Sequence, residues 1–139
     1  MHINYITTPD TYTESIGILT QHKKICLDFE TTGLQARLAK PRLLQLCDSN
    51  PTDEDRTVYV FDLFKVQADS ALKELVESRE MIIGQNLNFD LQFLYELGID
   101  FKNKFMILTL LSVYYAQVLK RKRLVLKLKN LTLRICRAV

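Results

Sequence analysis

Ile25-Cys26-Leu27-Asp28-Phe29-Glu30-Thr31-Thr32-Gly33 is the stretch that decides how this chain folds. Its residues alternate: Ile25, Leu27 and Phe29 share one face, while Cys26, Asp28 and Glu30 share the other, the period of a β-strand. Two carboxylates one residue apart therefore project the same way and concentrate negative charge, which favours a bound cation. Thr31-Thr32-Gly33 reads as a turn. Beyond Pro41, Leu43-Leu44-Gln45-Leu46-Cys47 reads as a second strand, and Thr57-Val58-Tyr59-Val60-Phe61-Asp62-Leu63 has the β-branched and aromatic content of a third. Asp48 to Arg56 between them is a polar loop, with Asp53-Glu54-Asp55 read as solvated rather than as ligands. Three strands joined by short polar loops imply an antiparallel meander.

Further on, Asp69 or Ser70 is suited to cap a helix that runs through Glu80, with Leu72, Leu75 and Val76 as its apolar stripe and Glu74, Glu77 and Arg79 outward. Met81-Ile82-Ile83-Gly84-Gln85 is a short apolar run of the kind found in buried strands. A second helix is expected over Leu87 to Leu97, ended by Gly98 at the C′ position, with Leu87, Leu91 and Leu94 on one stripe and Asp90 on the neighbouring one. Phe105 to Leu108 completes the strands, Leu110 to Leu119 is expected to be helical, and another helix is placed from about Leu126. Strands first, then strand and helix in alternation, give an α/β domain with a mixed sheet.

The 139 residues, 47% hydrophobic and 25% charged, suffice for one domain with a sizeable core. We place that core at about 23–119, followed by a basic tail over 120–139. Met106 to Leu119 is interrupted by Thr109, Ser112 and Gln117 and is too short to span a bilayer, and the first residues have no leader pattern. The expectation is a soluble, cytoplasmic protein with no membrane contact. Cys26, Cys47 and Cys136 are odd in number and widely spaced, which argues against a disulfide framework or zinc site and for Cys26 and Cys47 as small reduced residues within strands. Charge is divided sharply. Residues 1–100 hold all sixteen acidic residues and nine basic ones, net −7; residues 101–139 hold ten basic and no acidic residues, net +10.

Two carboxylates on a strand with a third on a helix suit Mg²⁺ or Mn²⁺, which prefer oxygen donors and leave positions open for phosphate. Phosphodiester hydrolysis is the reaction such a set favours. The residues here resemble a known family. Leu27-Asp28-Phe29-Glu30-Thr31-Thr32-Gly33-Leu34 is similar to the Asp-x-Glu-Thr motif of the 3′-5′ exonucleases named for their Asp-Glu-Asp-Asp ligands, and Gly84-Gln85-Asn86-Leu87-Asn88-Phe89-Asp90 is similar to their Asn-x-x-(Phe or Tyr)-Asp motif. The nearest look is to the proofreading domain of DNA polymerase I and to RNase D, over most of the span from Lys24 to Gly98. Either motif alone is weak, but both in order are a specific signal.

The resemblance implies a ribonuclease H-like fold with a mixed five-stranded sheet, its first three strands antiparallel, flanked by helices. It implies two divalent metal ions held by Asp28, Glu30 and Asp90, with Glu30 also near the attacking water. It places Thr31 by the 3′-terminal nucleotide, Leu34 as a wedge against terminal bases, and Asn86 and Phe89 in the strand-end pocket. The substrate would be the 3′ end of single-stranded DNA or RNA, with a polymerase or other module adjoining the domain in full-length relatives. Other readings stand beside these: Asp28 and Glu30 ending an exposed edge strand, Asp90 serving a helix N-terminus, and Leu34 and Phe89 packing in the core.

The chain also departs from the family. A fourth ligand, an Asp in a third motif of the form Tyr-x-x-x-Asp or His-x-x-x-Asp, is expected on a later helix, yet no acidic residue follows Asp100. The simplest expectation is a domain truncated, and altered in its last part, before that motif. An alternative function follows: a catalytically impaired exonuclease-like domain that only binds nucleic acid. Lys120-Arg121-Lys122-Arg123 suits either phosphate contact or a solvated helix end.

Overall fold

A computed structural model describes residues 2–48 and 56–108. Among them the chain runs β1 (His2–Ile6), α1 (Pro9–Leu19), β2 (Lys24–Thr31), β3 (Pro41–Asp48), β4 (Thr57–Asp62), α2 (Ser70–Glu77), β5 (Met81–Gln85), α3 (Leu87–Glu96) and β6 (Lys104–Leu108). The strands form one mixed sheet in the order β1-β4-β3-β2-β5-β6. β2, β3 and β4 are the expected antiparallel meander, while β5 and β6 add in parallel beside β2. The helices expected over 110–119 and from Leu126, the Asp53-Glu54-Asp55 cluster and the Lys120 to Arg123 run lie outside the described residues.

Among the described residues six strands stand where five are expected. The added one, β1, lies at the sheet edge and pairs in parallel with β4, His2 opposite Thr57 and Ile6 opposite Phe61. Four of its five residues are exposed and only Ile6 is buried, so it lacks the alternation that marks a half-buried strand. The helix after it, α1, was also unmarked, because Thr, Ser, Gly and Ile dilute its helical pattern. Its ends are nonetheless well held. Thr8 caps the N-terminus by accepting from the Thr11 N–H, and Pro9 occupies the first turn, where no intrahelical partner is needed.

Leu27, Phe29, Leu44, Phe61, Leu72, Leu75, Leu87, Phe93 and Leu94 belong to one buried cluster that joins the helices to one face of the sheet. The face carrying Cys26 holds a smaller cluster with Cys47, Val58 and Ile83. Cys26 is a free buried thiol, whereas Cys47 is disulfide-bonded and departs from the expectation of a reduced residue. Asp69 caps α2 by accepting from the N–H groups of Ala71 and Leu72, and the same oxygen accepts from the Tyr12 hydroxyl at 2.5 Å, tying α1 to α2.

Arg79 corrects the sequence reading, which turned it outward. It is 5% exposed, and its Nη1 donates to the carbonyls of Leu19 (3.2 Å), Thr20 (3.0 Å) and His22 at the end of α1. A cation there satisfies carbonyls that have no helical partner and meets the negative end of the helix dipole. Arg79→Ala is expected to destabilise the fold by about 1–3 kcal/mol, since it leaves buried acceptors unpaired. A lower urea midpoint with an unchanged slope would show this; an unchanged midpoint would refute it.

Candidate active site

β2 is an interior strand, flanked by β3 and β5, so Asp28 and Glu30 do not end an exposed edge. Pairing with β3 shifts register between Glu30 and Thr31, a bulge that bends the strand where its carboxylates sit. The Thr31 hydroxyl donates to the Gly33 carbonyl at 2.7 Å and fixes the turn that follows. Lys40 N–H donates to the Thr32 hydroxyl, and Thr32 N–H to the Lys40 carbonyl, closing the loop between β2 and β3.

On the other side, α3 starts directly after β5. Its N-cap, Asn86, has left-handed backbone angles (φ 52°, ψ 40°) and makes no side-chain capping bond. A non-glycine residue held there stores strain of the kind that gathers at functional sites. Asp90, in the first turn, is 2% exposed, and its Oδ1 accepts from the Phe29 N–H at 2.9 Å. That bond reaches from α3 to the backbone between Asp28 and Glu30. Asp90 therefore does more than favour a helix terminus.

The electrostatics follow from this placement. Burial pushes the Asp28 carboxyl up to about 7, helped by the neighbouring charges of Asp90 and then Glu30. Burial likewise raises Asp90 to about 6; the Phe29 N–H opposes the rise and the Glu30 charge adds to it. Like charges held together in a poorly hydrated site resist ionisation, and a divalent cation would relieve both. Glu30 is exposed, and among the described residues no group of three His, Cys, Asp or Glu side chains stands as a ready metal cage. Hard cations such as Mg²⁺ are commonly held by one or two carboxylates with substrate phosphate and water rather than by a closed protein cage, so the donor set fits.

The remaining expected residues separate. Leu34 is 84% exposed, which removes it from the core. Phe89 is half-buried and packs on Phe93 with ring centroids 4.9 Å apart, so it contributes to packing. Asn86 is exposed at the strand-to-helix junction. Sequence reading missed a groove of about 560 Å³ in which Leu34 is joined by Gln35, Arg37, Leu91 and Tyr95. No sequence spacing links these residues, since the groove exists only once the loop meets α3.

A model of 3′-5′ exonucleases matches residues 3–137 of this sequence. This chain belongs to the 3′-5′ exonuclease family. DNA polymerase I of Aquifex aeolicus (strain VF5) is 35% identical over 99 residues, 71% of this chain and 15% of the polymerase. Among solved structures, Escherichia coli RNase D, an exoribonuclease involved in structured RNA processing, superposes with a TM-score of 0.61 at 18% identity over 77% of this chain and 27% of its own. Trypanosoma brucei RNase D in complex with RNA U12 gives a TM-score of 0.61 at 20% identity, covering 73% of this chain and 36% of the other. These structural likenesses establish the exonuclease fold, a mixed sheet flanked by helices. The chain spans a small part of each relative. Among the described residues, no helix of this family member is long and apolar enough to cross a membrane.

Proposed function

We propose that this chain is a divalent-metal-dependent exonuclease domain that removes nucleotides from the 3′ end of single-stranded DNA or RNA. The supporting observation is the convergence of Asp28 and Asp90 beside Glu30, where burial and mutual repulsion raise the first two to about 7 and about 6. Asp28, Glu30 and Asp90 are the residues that would hold two Mg²⁺ or Mn²⁺ ions. Such ions, when bound, activate a water and stabilise the departing 3′ oxygen. Glu30, on the exposed side, accepts a hydrogen bond from the attacking water. Thr31 lies beside the terminal nucleotide, Leu34 wedges against its base, and Asn86 and Phe89 line the strand end. Apolar wedging tolerates any base, which suits an enzyme acting on ends. In full-length relatives a polymerase or other module would adjoin this domain.

A binding-only domain is the competing reading, and it draws on the lack of any acidic residue after Asp100. A 5′-labelled single strand incubated with Mn²⁺ and the full chain separates the two. The exonuclease reading expects a ladder shortening from the 3′ end, and a Mn²⁺-induced rise in melting temperature that Asp28→Asn abolishes. A strand that stays full length while a family relative degrades it would reject turnover. An identical Mn²⁺ response in Asp28→Asn would reject the metal assignment.

A further inference from the structure

We infer that the outer edge of β1 is an interaction surface whose partner is a second copy of this chain, the two β1 strands pairing antiparallel about a two-fold axis at Asn4. The inference stands apart from the carboxylate site. β1 closes one side of the sheet, and among the described residues no strand pairs with its outer side. Edge strands of stable monomers are commonly blunted by Lys, Pro, a bulge or an inward-pointing charge. His2-Ile3-Asn4-Tyr5-Ile6 contains no Lys, Arg, Asp, Glu or Pro, and its register with β4 runs unbroken. Ile3 is 58% exposed and Tyr5 50%.

The backbone shows which groups point outward. His2 N–H donates to the Arg56 carbonyl at 2.8 Å, so His2 faces β4, and by the alternation of a paired strand Asn4 and Ile6 face it too. Ile3 and Tyr5 therefore turn their N–H and C=O groups away from the sheet. An antiparallel mate centred on Asn4 sets Ile3 opposite the second copy's Tyr5, and Tyr5 opposite its Ile3. Each opposed pair then exchanges two hydrogen bonds, which satisfies every outward group, while Asn4 meets Asn4 in the closer, non-hydrogen-bonded pair. An axis at Ile3 or at Tyr5 would leave the other residue without a mate in β1. The chosen register also sets an aromatic ring against a β-branched side chain on both sides of the axis, a favoured cross-strand pair, and opposes no like charges. Tyr5 is already held, because its hydroxyl donates to Asp62 at 3.0 Å, so pairing costs it little rotamer freedom. The contact is self-complementary and closes at two chains. Five residues a side bury less than the roughly 800 Å² per partner of a standard interface, so a weak dimer is expected, with Kd on the order of 100 µM.

Sedimentation equilibrium of the full chain from about 10 µM to about 1 mM tests this, with the mass expected to rise toward two chains and no further. Ile3→Pro removes an outward N–H that the β1–β4 ladder does not use, and Asn4→Lys or Asn4→Glu opposes like charges on the axis. Each variant is expected to bind itself at least about tenfold more weakly than wild type does. An equimolar mixture of Asn4→Lys and Asn4→Glu is expected to restore the dimer, since opposite charges then face each other, a rescue that unfolded variants would not give. The inference is overturned by a wild-type chain that stays monomeric throughout, its edge left to some other strand, or by a mass that climbs past two chains. A dimer that survives Ile3→Pro and both Asn4 variants, or a mixture that fails to associate, overturns it equally.

Discussion

Asp28→Asn is expected to abolish exonuclease activity and raise thermal stability in the same protein. Activity should fall by at least about a hundredfold, because even partners that only orient a metal ligand cost about 10- to 100-fold. Stability should move the other way. An aspartate titrates at about 3.9 in the unfolded chain, but burial, Asp90 and Glu30 hold the folded Asp28 carboxyl up to about 7. Between those pH values the folded state binds more protons than the unfolded one, so stability falls as pH rises from about 4 to 7. Above 7 the folded protein carries the full penalty of an ionised, crowded carboxylate. Asparagine has no such charge to accept. The two melting temperatures should lie closest near pH 4 and separate toward pH 8, with the variant higher by roughly 5 °C or more in metal-free buffer. Coincident curves at pH 8 would mean that the three carboxylates do not share one field.

Gly84→Ala should damage the fold through a single methyl group. A Cβ at this position would lie 2.7 Å from the Leu27 carbonyl oxygen and against the Leu87 side chain. Leu27 precedes Asp28 on β2, and Leu87 begins the helix that carries Asp90. The methyl must therefore force apart the two elements that bring the carboxylates together. Overpacking of this kind costs about 1–3 kcal/mol, a drop in melting temperature of roughly 5–20 °C. The 2.9 Å bond from Phe29 N–H to Asp90 should lengthen with it, so activity falls as well. Gly17→Ala is the control, because nothing lies within 4 Å of its added Cβ and an alanine in a helix is preferred. A Gly84→Ala variant as stable as wild type would show that β5 and α3 have room to spare.

The elements around the site were legible because their signals are local. Alternation marked β2, Asp69 marked the start of α2, and Gly98 (φ +75°) ended α3 as its position implied. The two motifs likewise foretold that Asp90 would meet the Asp28 strand. What escaped depends on neighbours distant in sequence. β1 draws its support from pairing with β4 and from the Tyr5 hydroxyl, which donates to buried Asp62 at 3.0 Å. Arg79 looked like a helix-surface cation until the end of α1 was placed against it. The groove joins Arg37 to Tyr95, residues whose separation in the chain carries no periodic signal.

The parallel pairing of His2–Ile6 with Thr57–Phe61 also constrains the order of events when the polypeptide is made. β1 must wait, unpaired, until β4 has been made and has joined the meander. Such a distant contact closes a long loop and slows folding. In the interval the backbone N–H and C=O groups of β1 that face β4 in the sheet are open to pairing with other chains.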